Sequence, residues 1–226
     1  MKILRCIITC AAVSCASVAY ADLFTFSTPA GATAGGQPVN VTATFVTGFP
    51  FVQVTIINNQ ANPTSIIQAV SDLSFHLSSG TSGSLQLSAG GERNIAADGT
   101  FTNGSVVDTG WALSNVGSTF HLNVLGTAIG PAHLLIGPPD NSNLYSNANG
   151  SIAGNGPHNP FLAENATFFI TDRGITADTQ VSNVVFSFGT EAGRNVPAIP
   201  DSGATVALLG LALMGLAAAR AKFRKA

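Results

Sequence analysis

The sequence predicts an all-β fold: an antiparallel two-sheet β-sandwich of jelly-roll type, with an N-terminal signal peptide and one C-terminal transmembrane helix. Three observations carry the prediction. Apolar residues between positions 39 and 188 recur with a period of two, clusters of Gly, Pro and Asn separate the runs, and only Ser65 to Asp72 has room for a helical turn.

In chain order, Val39, Val41, Ala43 and Phe45 alternate with Asn40, Thr42 and Thr44, and Val52, Val54 and Ile56 with Gln53 and Thr55. Leu73, Phe75 and Leu77 alternate with Ser74, His76 and Ser78; Leu85 and Leu87 flank Gln86; Phe120, Leu122 and Val124 alternate with His121 and Asn123. Ala132 to Ile136, Ala166 to Ile170 and Val184 to Phe188 complete the set. Turn residues fill the gaps at Asn58–Pro63, Ser79–Gly83, Ala89–Gly91, Asp98–Gly99 and Gly137–Asp140. The longest interruption, Pro138 to Phe161, is rich in Asn and Gly, and loops of that length are functional or disordered as a rule. Tyr145, Ile152, Phe161 and Leu162 argue that this one packs.

The chain divides into residues 1–21, 22–198 and 199–226. Lys2 and Arg5 precede an apolar stretch from Cys6 to Ala19, and Ala19-Tyr20-Ala21 offers small residues where a signal peptidase reads, which places cleavage before Asp22. Cys6, Cys10 and Cys15 are the three cysteines, all inside this leader. The mature chain therefore has no disulfide and no thiolate, and residues 22–198 must rely on a core.

Between Asp22 and Val196 stand three arginines, no lysine and ten acidic residues, a net charge of −7. Such a surface excludes nucleic acid as a partner, because that binding rests on Lys and Arg contacts to phosphate. The chain has no esterase elbow, no phosphate-binding loop and no paired-carboxylate spacing, so it reads as a non-enzyme. Glu92, Glu164 and Glu191 are expected alone in loops, and the four histidines lack metal-ligand spacing. No cofactor is required. Calcium is the one metal with a candidate, Asp140, whose neighbours Asn141, Ser142 and Asn143 offer oxygens; the alternative is an Asx-turn made by Asp140 itself. Trp111 either stacks on a sugar ring or fills the core beside Leu113. Asn155 and His158, in the long loop, are the other candidate ligand contacts.

The C-terminal 28 residues carry the most information. Ala204 to Ala219 is 16 residues of Ala, Leu, Gly, Val and Met with one Thr, followed by Arg220, Lys222, Arg224 and Lys225. As a helix the run would span about 24 Å, and the flanking cations can snorkel to match a bilayer. By the positive-inside rule they stay cytoplasmic, so the domain faces outward. Ile199-Pro200-Asp201-Ser202-Gly203 stands directly before the run. Motif, apolar helix and basic end in this order resemble the PEP-CTERM class of bacterial sorting signals, in its VPDSG variant, with Ile199 in place of Val. The resemblance implies recognition by an exosortase-like membrane protease, cleavage near the motif after transient membrane anchoring, and delivery to the cell surface or matrix of a bacterium that makes exopolysaccharide. A structural or adhesive role in that polysaccharide-rich envelope is the first expectation, and a carbohydrate-binding module the second.

Overall fold

The computed structural model describes residues 21–125, 133–191 and 193–201. They form an all-β fold: β1 (Asp22–Ser27), β2 (Thr33–Ala34), β3 (Gln37–Pro38), β4 (Val41–Gly48), β5 (Phe51–Asn58), β6 (Val70–Leu77), β7 (Ser84–Ile95), β8 (Phe101–Val107), β9 (Ala112–Val116), β10 (Thr119–Asn123), β11 (Leu135–Ile136), β12 (Phe161–Thr171), β13 (Val181–Phe188), β14 (Asn195–Pro197) and β15 (Ile199–Pro200). A single 3-10 turn at Ile66–Gln68 falls inside the stretch expected to hold one. Among the described residues no helix is long and apolar enough to cross a membrane. The expected signal peptide, apart from Ala21, and the expected tail helix at 204–219 lie outside the described residues, whereas Ile199 to Asp201 of the sorting motif lie within them.

Every run read from alternation forms a strand except the one at Ala132, which shortens to β11. Thirteen strands hydrogen-bond into one open sheet in the order β14-β13-β6-β11-β12-β5-β4-β1-β15, with β10 and β9 added on β6, and β7 and β8 on β12, while β2 pairs with β3 in a separate two-stranded sheet. The joint is β11, which pairs with β6 through Leu135 and Val70, and runs parallel to β12, a departure from the all-antiparallel expectation. The sheet folds over at this joint, so residues far apart along the ladder meet in the core. Phe45 of β4 packs edge-on against Phe75 of β6 with ring centroids 5.1 Å apart, and Phe75 stacks on Phe120 of β10. This packing is consistent with a sandwich.

At the opposite side the halves meet again through one short segment. β14 pairs with β13, the Ala198 N–H bonds Val184 O, and β15 then pairs with β1, placing Pro200 opposite Phe26. Asp201 continues the pairing by donating its N–H to Thr25 O. Residues 195–201 thus form the seam that joins the two edges of the open sheet.

Ala89, Gly90 and Gly91, expected as a turn, run through the middle of β7. A Cβ on Gly90 would come within 2.9 Å of Leu162 on β12, so the glycine marks close strand packing rather than a reversal. The outer face of β1, β4, β5, β12 and β7 carries ordered cross-strand rows. One is Leu23–Val46–Gln53–Phe169–Leu87, and the next is Thr25–Thr44–Thr55–Thr167–Ala89. Neither row contains a charged residue.

Candidate functional site

A cleft of about 840 Å³ opens between β7, β8, β12 and the start of the long loop, lined by Arg93, Phe101, Asn103, Pro138, Asp140 and Glu164 among others. Its floor is Arg93, buried on β7. Nη1 donates to Glu164 Oε1 at 2.8 Å and to the Tyr145 hydroxyl at 2.9 Å, Nε donates to Asn103 Oδ1 at 2.9 Å, and the guanidinium lies 4.4 Å from the centre of the Phe101 ring. Burial alone would lower the pKa of Arg93, but the Tyr145 and Glu164 interactions outweigh it and raise it. Burial raises that of Tyr145, whose hydroxyl donates onward to Gly137 O.

Glu92 and Glu164, expected in loops, both lie within strands. Glu164 has φ +64°, in the left-handed region that side chains seldom occupy, at the β-bulge between Leu162 and Ala166. The bulge breaks the strict alternation of β12 at the residue that meets Arg93. Glu92 is 3.7 Å from Nε2 of His133. His133 is buried, with Nδ1 2.6 Å from Pro160 O, so Nδ1 carries the proton.

Asp140 lines the cleft, but its carboxylate is committed to its own loop. Oδ1 accepts the N–H groups of Ser142 and Leu144, and Oδ2 accepts the Ser146 hydroxyl at 2.6 Å. The Ser146 bond first, then the backbone bonds, hold its pKa below the usual carboxylate value. That is the Asx-turn arrangement. Among the described residues no group of three or more His, Cys, Asp or Glu side chains gathers to hold a metal.

Trp111 takes the core alternative of the two expected for it. It is 1% exposed, packs on Phe168 at 5.3 Å, and donates its indole N–H to His133 O. Asn155 braces the long loop, donating to Gly150 O and Ser151 O, while its own carbonyl accepts the N–H of His158. Neither Asn155 nor His158 lines the Arg93 cleft. The long loop packs as expected, with Tyr145 and Ile152 buried beneath it. Sequence reasoning missed the Arg93 cluster, because Arg93 and Glu164 are 71 positions apart and neither has a motif around it.

Of the sorting residues, Ile199 and Pro200 are β15 and Asp201 prolongs its pairing; Ser202, Gly203, Arg220, Lys222, Arg224 and Lys225 lie outside the described residues, as does Ala19. An all-β domain that runs straight into a C-terminal address defines the class: an exported protein with a sorting signal. The signal is the VPDSG-CTERM motif, a PEP-CTERM-like variant, matched at residues 198–223. It implies export, association with the envelope and processing by an exosortase-type membrane protein. No curated protein and no solved structure matches the chain.

Proposed function

We propose that the β-domain is a non-enzymatic structural or adhesive component of a polysaccharide-rich envelope, anchored through residues 204–219 until the exosortase-type protein processes the tail and releases it to the surface. The observation that carries this reading is the VPDSG-CTERM match at 198–223. The two uncharged outer rows support it, because a face of Thr, Val, Leu and Phe on a domain of net charge −7 suits contact with neutral polymer better than ionic partners. Intact mass of the protein from its own host tests it. A species beginning at Asp22 and ending near Ser202, or carrying a larger adduct there, is expected. One that still ends at Ala226 would overturn processing and, with it, the surface role.

A second reading is carbohydrate binding in the Arg93 cleft, favoured by its fixed polar floor and the half-buried Phe101 ring at the foot of the long loop. Calorimetric titration with neutral oligosaccharides checks it: heat that disappears in Asn103→Ala supports binding there, and no heat rejects it.

A further inference from the structure

Four turns share one end of the domain. The β4–β5 turn at Phe49-Pro50 bonds the 172–179 loop through Asp172 N–H to Pro50 O. Asp172 Oδ2 accepts the N–H groups of Thr81 and Ser82, and Thr81 O accepts from Asn115, beside the β9–β10 turn. Two of these turns present apolar residues at their tips: Phe49 is 69% exposed and Val116 84%. Leu23, also exposed, lies one residue from this end on β1.

The chain leaves the fold toward the same end. Asp201 sits beside Thr25, and the direction set by β15 carries it along β1 toward Asp22, which is opposite Thr47. Ala204, where the apolar run begins, is three residue steps on from Asp201, a reach of at most about 11 Å. Three residues of strand from Thr25 to Asp22 cover about 10 Å. The apolar run therefore starts at most about 1 Å beyond the level of Asp22, and Phe49 stands two residues beyond Thr47, roughly 5–7 Å beyond that level.

We propose that, before processing, the domain stands end-on against the lipid surface, with the Phe49 and Val116 turns seated among the headgroups. This rests on the reading of residues 204–219 as membrane-inserted. Among the described residues Arg173 is the one cation at this end, against Asp22, Asp172 and Asp178. The contact is therefore apolar rather than ionic, and zwitterionic lipid suffices.

The test uses the full chain in phosphatidylcholine vesicles with brominated acyl chains, which quench tryptophan at the bilayer. Buried Trp111 supplies a constant background. Phe49→Trp and Val116→Trp place probes on the turns, Leu211→Trp reports the tail, and Val106→Trp, exposed at the other end of the sheet, is the control. Loss of emission from the Phe49→Trp and Leu211→Trp variants, with none from Val106→Trp, is expected, and Val116→Trp should follow Phe49→Trp. Quenching of Leu211→Trp with Phe49→Trp no more quenched than Val106→Trp overturns the docking alone. A silent Leu211→Trp overturns the tail reading and the docking together.

Discussion

The hydroxyl of Tyr145 lies 2.9 Å from Nη1 of Arg93 and passes its own proton toward Gly137 O, so the long loop is pinned from beneath by a buried cation. Replacing Arg93 leaves Glu164, Asn103 and Tyr145 short of a donor. Breaking a buried pair by removing one partner costs about 3–5 kcal/mol; Glu164 is 40% exposed at its side chain, so solvent reduces the loss. Arg93→Met should lower the urea midpoint by the equivalent of roughly 2 kcal/mol. Arg93→Lys should recover only part, because an ammonium cannot serve three acceptors in the guanidinium plane.

Stability should fall as pH rises from about 4 to about 6. Burial lifts the pKa of Asp72 from 3.8 to about 6, against the opposing pull of His121, whose Nδ1 is 3.8 Å away, and the bond from Ser187. The folded protein then holds a proton that the unfolded chain has lost. The penalty is absent below pH 3.8 and fully present above 6, with a size of at most about 3 kcal/mol. Asp98, Asp140 and Asp172 are shifted downward and act the other way, stabilising above their ordinary values and losing that contribution as acid protonates them. Urea titrations at several pH values should show the decline from 4 to 6, and Asp72→Asn should flatten it.

A chain ending at Gly193 should be less stable than one ending at Asp201. The shorter chain loses β14, with buried Val196, and β15, leaving β13 and β1 with open edges. Comparison of thermal midpoints, with a drop of several degrees expected for a loss of about 2 kcal/mol in a domain of this size, checks the role of the seam.

Trp111 should emit at short wavelength and resist acrylamide, and saturating neutral sugar should leave its spectrum unchanged. Trp111→Ala should cost about 3–5 kcal/mol, because it removes a large core side chain and leaves His133 O without its donor. A red-shifted, quenchable Trp111 would contradict its burial.

The strands whose one face meets the core were legible, because burial prints a period of two: β4, β5, β6, β10 and β13 all show it. β8 was not, since Thr102 to Val106 are exposed on both faces and no alternation is imposed. The path of β7 through Gly90 was hidden for another reason: the demand for a glycine comes from Leu162, 72 positions away. The tail was legible as an address because its order of motif, apolar run and cations is local. The Arg93 cluster was not, since β7, β8, β12 and the long loop must first assemble to bring its members together.

A sorting tail is easily thought of as a detachable cassette, yet here the cassette and its cargo share a strand. Splitting the chain at residue 199 would hand Ile199 and Pro200 to the cassette and deprive the cargo of its pairing along Phe26 and Ser27. Grafts that move this address to another protein should carry it without loss, while grafts that give this domain a foreign address should retain residues up to Asp201 and join only beyond them.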